Sequence, residues 1–145
     1  MRFLVLLGIS ALVAGAAPQT DRVRRADAAA HRVVIEVTSG ETEQWDAVLN
    51  NVQNLQKAFA PAQVEIEIVA HGKGLPMLMK TNTAGAARIE QFAKTGVKFA
   101  ACENTMRRMK ASRTDLLPFA ITVPSGVAEV VIKQEAGWSY LKGGF

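Results

Sequence analysis

The hydrophobic period of this chain switches back and forth between two and about 3.6 residues, and that alternation constrains its fold more than any other feature. Val33-Val34-Ile35-Glu36-Val37-Thr38 is β-branched and nearly continuously apolar, the pattern of a strand covered on both faces, and it stops at Ser39-Gly40. From Glu41 the apolar residues Trp45, Val48, Leu49, Val52, Leu55 and Phe59 recur at spacings of three and four. They predict an amphipathic helix capped by Ser39 or Thr42 and closed by Pro61. Val64, Ile66 and Ile68 then alternate with Glu65 and Glu67, so a half-exposed strand is expected, nearer the sheet edge than the first.

His71-Gly72-Lys73-Gly74 ends that strand, and a short apolar turn runs through Met77 to Met79. Ala86, Ile89, Phe92 and Ala93 mark a second helix, stopped by Gly96. Val97 to Ala101 predicts a third strand leading straight into Cys102, and Met106 and Met109 mark the inward face of a short third helix. A bend over Ser112 to Pro118 precedes a fourth strand at Phe119 to Val123. Ser125 caps a helix containing Val127, Val130 and Val131 that stops at Gly137, and Trp138 to Leu141 is a short closing strand.

Strands alternating with helices are βαβ units, so the fold class is α/β, a mostly parallel five-stranded sheet with helices on both faces. The right-handedness of such crossovers puts every strand's C-terminal end on one rim, where the loops form crevices for ligands. Thr38-Ser39-Gly40, His71 to Gly74, Cys102-Glu103-Asn104 and Pro124-Ser125-Gly126 are all expected there.

The length of 145 residues allows one core, and 49% hydrophobic residues with 11 Gly and 5 Pro exclude disorder, collagen-like repeats and coiled coils. Lys and Arg number 17 against 13 acidic residues, but they are scattered, which argues against a nucleic-acid partner. Residues 1–16 carry Arg2, an apolar run from Phe3 to Val13 and the small residues Ala14-Gly15-Ala16, the order of a secretory signal peptide. The run is shorter than the roughly 20 residues that span a bilayer, so no stable membrane insertion is expected after processing. The expected product is periplasmic or secreted, with a flexible lead-in at 17–31 and one domain at 32–145.

Cys102 is the only cysteine, so an exported chain has no intramolecular disulfide, and its thiol is either buried and inert or used for exchange. Its place at a strand-to-helix junction lets helix amides stabilise a thiolate, whereas Glu103 opposes ionisation. His71, at the end of the neighbouring strand, is the candidate proton acceptor or hydrogen-bond partner, with Asn104, Gly72 and Ser125 as further binding or orienting residues. His31 has no assigned role, and Trp138 and Tyr140 read as core or subunit-interface anchors. Two His and one Cys give no metal-ligand spacing, and Gly72-Lys73-Gly74 is no phosphate loop, so neither metal nor cofactor is expected. Arg107-Arg108-Met109-Lys110 with Arg113 is a basic cluster whose default role is a solvated face.

Phe99-Ala100-Ala101-Cys102-Glu103-Asn104-Thr105, Asp115-Leu116-Leu117-Pro118, Pro124-Ser125-Gly126-Val127-Ala128-Glu129 and Gln134-Glu135-Ala136-Gly137-Trp138-Ser139-Tyr140 resemble the DsrE/DsrF-like (DsrE/YchN-type) family. Val69-Ala70-His71-Gly72 and the first strand extend the resemblance over residues 32–142. It implies a three-layer α/β/α domain that assembles into trimers or hexamers. In sulfur-relay members a cysteine at the position of Cys102 holds sulfur as a persulfide and passes it to an acceptor protein. Those relay proteins work in the cytoplasm in heteromeric sets, whereas this leader points to export and the apolar end Trp138, Tyr140, Leu141 and Phe145 to a homo-oligomer. Two readings follow: an exported sulfur-handling or thiol-exchange protein, or a noncatalytic periplasmic module that binds a small anion or assembles with partners.

Overall fold

A computed structural model describes residues 31–144; the segment expected to be a signal peptide at 1–16, the expected lead-in before His31, and Phe145 lie outside the described residues. The elements run β1 (His31–Val37), α1 (Thr42–Ala58), β2 (Val64–Ala70), a 3-10 helix (Gly72–Leu78), α2 (Thr83–Lys94), β3 (Lys98–Cys102), α3 (Glu103–Met109), β4 (Ile121–Val123), α4 (Gly126–Glu135) and β5 (Ser139–Gly143). The five strands form one sheet in the order β4-β3-β2-β1-β5, and every pairing is parallel.

That order decides which helix covers which face. From β1 to β4 the chain steps always in one direction, so right-handed crossovers put α1, α2 and α3 on the same face. From β4 it returns past β1 to β5, and the reversed step sends α4 to the opposite face. The packing agrees. Val33, Ile35, Val37, Ile66, Ile68, Phe99 and Ala101 meet Trp45, Val48, Leu49 and Val52 of α1, Ile89 and Phe92 of α2, Met106 of α3, and Leu75, Met77 and Leu78 of the 3-10 helix. Among the described residues the apolar cluster on the other face is smaller: Val34, Val69, Ala100 and Val123 lie under Val130 of α4, with Trp138 at the side. The result is three layers, one of them a single helix.

Some local expectations need correction. The strand with alternating Glu and Ile is not nearer the edge: β2 is the middle strand, and its Glu67 is buried beneath α4, where Lys133 Nζ donates to Oε2 at 2.7 Å. A charge that finds a partner 66 residues away is hidden from any local pattern. Neither Ser39 nor Thr42 caps α1; Glu41 is the N-cap without a side-chain bond, and Ser39 Oγ accepts from the Glu41 N–H. Of the two methionines assigned to the inward face of α3, Met106 is buried but Met109 is 46% exposed. His31 begins β1, and its ring stacks on Phe59 at 3.8 Å. Ser125 does cap α4, its Oγ accepting from the Ala128 N–H at 3.4 Å.

Candidate functional site

In an open parallel sheet a crevice opens where neighbouring strands send their following helices to opposite faces. Here that occurs between β3, which leads into α3, and β4, which leads into α4. Cys102 is the last residue of β3 and Gly126 the first of α4, so the topology itself brings the thiol to the start of a helix on another element. The approach is close: a Cβ on Gly126 would lie 3.2 Å from Cys102 Cβ, 3.0 Å from His71 Cβ and 3.1 Å from His71 Cδ2.

Strand parity explains what surrounds the thiol. Residues 98, 100 and 102 of β3, 67 and 69 of β2, 34 and 36 of β1, and 140 and 142 of β5 share the α4 face, and His71 continues the β2 alternation. The outcome is a file of polar groups across four strands. Tyr140 donates its hydroxyl to Glu36 Oε2 at 2.6 Å, and His71 Nε2 meets Glu36 Oε1 at 2.7 Å. A carboxylate only accepts, so Nε2 carries the hydrogen. The carbon edge of the His71 ring faces Gly126, and no hydrogen bond joins His71 to the thiol.

Cys102 is 4% exposed, and its side chain makes no formal capping bond to α3. Burial raises its pKa, but the Gly126 N–H, the Thr105 hydroxyl and N–H, and the Asn104 N–H favour the ionised form and hold the thiol below its ordinary value. Donors, not a neighbouring cation, activate it. Thr105 is itself buried, and its Oγ1 accepts from the Gly72 N–H at 3.0 Å, which ties the loop after β2 to the start of α3. Gly72 permits that loop with φ of 56°.

Burial also raises Glu36, yet the hydrogen bonds from Tyr140 and His71, together with the His71 and Lys142 charges, leave it lowered overall. The bond to Glu36 pushes Tyr140 up to about 12. Glu67 behaves in the opposite way, because burial outweighs Lys133 and leaves its pKa raised, with Oε1 unpartnered.

Of the residues picked from sequence, Cys102, His71 and Gly72 converge on this rim; Asn104 contributes its N–H while its exposed side chain accepts from Arg107, and Ser125 serves α4 as its cap. Thr105, Glu36, Tyr140 and the Gly126 amide were missed. The Cys-x-x-Thr spacing was available as a signal, since the third residue of a helix reaches back to its cap. Among the described residues no group of three or more His, Cys, Asp or Glu is placed to hold a metal, and no helix is long and apolar enough to cross a membrane.

A comparison with curated proteins returns no match. Among solved structures, the protein of unknown function MTH1491 from Methanobacterium thermoautotrophicum is similar, with a TM-score of 0.73 and 30% identity over 77% of this chain and 98% of that one. The DsrE/DsrF-like family profile matches residues 31–142, which takes in β1 to β4, all of β5 but its last residue, and the whole rim. With its strand-end cysteine and doubly covered parallel sheet, the chain belongs to the DsrE/DsrF-like family.

Proposed function

We propose that the protein handles sulfur on Cys102 outside the cytoplasm. The observation that carries this reading is the set of donors from two separate helices around one thiol, which lowers its pKa against the effect of burial. Family membership supports a sulfur-relay-like role. In the step envisaged, the Cys102 thiolate attacks the outer sulfur of a donor persulfide. The S–S bond of the donor breaks, a new one forms at Cys102 Sγ, the proton stays on the transferred sulfur and the donor leaves as a thiolate. Glu36 and Tyr140 hold the His71 ring against Gly126, and so keep the start of α4 on the thiol. An acceptor protein then takes the sulfur. Export and a trimeric or hexameric homo-oligomer belong to the same proposal, the latter supported by exposed Tyr140 and Leu141 on edge strand β5.

The low exposure of Cys102 favours a second reading, in which the thiol only packs and the rim serves binding. Mass spectrometry of the protein incubated with a small organic persulfide separates them. The sulfur reading expects a single added sulfur on Cys102, absent in Cys102→Ser, whose hydroxyl retains the same donors and the fold. No adduct, together with a thiol that resists alkylation until unfolding, refutes it.

A further inference from the structure

We propose that α4 is fastened to the sheet by a proton-dependent clasp: Glu67, Glu129 and Lys133 take up one proton as the helix closes, so acid tightens α4 onto the rim that carries Cys102 and rising pH loosens it. As ionised groups the three do not balance. Lys133 Nζ meets Glu67 Oε2 at 2.7 Å and Glu129 Oε1 at 3.5 Å, and it is the one cation paired with either carboxylate among the described residues. Two carboxylates therefore share one ammonium, and Glu67 is buried with its Oε1 facing no donor. The Glu129 carboxyl is within hydrogen-bonding reach of Glu67, but two ionised carboxylates only accept, so neither serves the other. One proton from solvent removes the conflict. Bound between the two carboxyls, it gives one of them an O–H that donates to the other, and Lys133 then faces a single negative charge.

The surroundings offer no substitute. Lys98 of β3 is in register with Glu67, and Glu65 of β2 and Arg32 of β1 share its face toward the start of the strands, but all three are exposed, where salt and water screen them. Glu36, further along β1, is taken by Tyr140 and His71 with Lys142 beside it. The Trp138 ring, its centre 4.5 Å from Lys133 Nζ, steadies the ammonium and neutralises no carboxylate. The raised pKa of Glu67 agrees with this count, since burial and Glu129 both favour the neutral acid against the pull of Lys133.

Linkage sets the sign. When α4 lifts, all three side chains reach water and Glu67 returns to ordinary carboxylate behaviour, so the closed form holds the proton more tightly than the open one. The hold on α4 is fullest below the ordinary carboxylate value and is lost as pH rises through the raised one. Glu129 and Lys133 lie about one and two turns beyond Gly126, so the helix that carries the clasp also carries the N–H that favours the Cys102 thiolate. The clasp stands whether or not Cys102 carries sulfur.

Amide hydrogen exchange across α4, followed by NMR from pH 5 to pH 8 with each rate divided by that of an unstructured amide at the same pH, reads the closing. Protection in α4 should rise about threefold or more from pH 8 to pH 5, and no more steeply than about tenfold per pH unit for one linked proton. His71 also packs on α4, at Gly126, so the wild-type slope is read against two variants. Glu67→Gln fixes an uncharged form of the same shape and should flatten the profile. Glu129→Gln, at a half-buried position, leaves Lys133 one carboxylate and should flatten most of it. Cys102→Ser should follow wild type, which separates the clasp from the sulfur reading. The proposal is overturned if protection falls with acid, or if Glu67→Gln and Glu129→Gln keep the wild-type slope.

Discussion

Gly126→Ala tests the thiol environment at its tightest point. The added methyl meets His71 Cβ at 3.0 Å, His71 Cδ2 at 3.1 Å and Cys102 Cβ at 3.2 Å, so something must yield by a few tenths of an ångström. Cys102 is fixed in β3, and His71 is held by Glu36 at 2.7 Å, which leaves the first turn of α4 as the part that moves. Alanine is the better helix former by up to about 1 kcal/mol, which offsets part of the crowding, typically about 1–3 kcal/mol, so the loss of stability should be modest. The chemistry should change more. A hydrogen bond to a charged group contributes about 1.5–3 kcal/mol, and one pKa unit is about 1.4 kcal/mol, so displacing the Gly126 N–H should raise the Cys102 pKa by roughly one unit. Iodoacetamide alkylation followed from about pH 5 to pH 10 reads the midpoint directly, and below both midpoints the variant should react about tenfold more slowly. A midpoint within about 0.2 units of wild type, in a variant that unfolds at the same urea concentration, would refute the role given to this amide.

Lys133→Met should cost about 3–5 kcal/mol by leaving Glu67 charged and buried, whereas Glu67→Leu with Lys133→Met should be near neutral or stabilising; urea unfolding of both checks this. Because the folded pKa of Glu67 is raised, it favours protonation in the native state, so the deficit of Lys133→Met should shrink as pH falls from 7 toward 5. Asn82→Ala removes the cap on Gly85 N–H and the bond to the Met77 carbonyl, and should lower the urea midpoint by an amount equivalent to about 1–2 kcal/mol with an unchanged slope. Glu36 has a lowered folded pKa, so its contribution is present above the ordinary carboxylate value and is lost as pH falls through the folded one. Tyr140→Phe should move that loss to higher pH, as read by carboxyl-carbon NMR of Glu36.

What the sequence revealed about this protein was local. The β-branched run of β1, the stop at Gly96, the Ser125 cap and the position of Cys102 between a strand and a helix all depend on neighbours a few residues away, and each was legible. Groups that act across the sheet were not. Tyr140 reaches Glu36 over 104 residues, and Glu36 reaches His71 over 35. Glu67 looked like the exposed side of an edge strand because its partner lies in α4, and strand order could not be read from alternation alone. The Gly126 amide was invisible for a different reason: a backbone group has no sequence signature of its own, and only the reversal of chain direction after β4 brings it to the thiol.

The single helix over one face separates access to the thiol from the integrity of the fold. α4 rests on a small apolar patch and one ion pair, while the opposite face is sealed by three helices and most of the large side chains. Such a helix opens at a lower free energy than the whole domain, and its amides should exchange with deuterium before those of β1 to β3. Each opening uncovers a buried Cys102 and withdraws the amide that favours its thiolate. Reactivity is therefore a balance between a closed state, in which the thiol is more acidic but sheltered, and an open state, in which it is reachable but less acidic. The contacts that hold α4 down, the Val130 patch and the Lys133–Glu67 pair, set that balance. A sequence change at Val130 or Lys133 can then retune the rate at Cys102 while the larger core on the opposite face stays as it is.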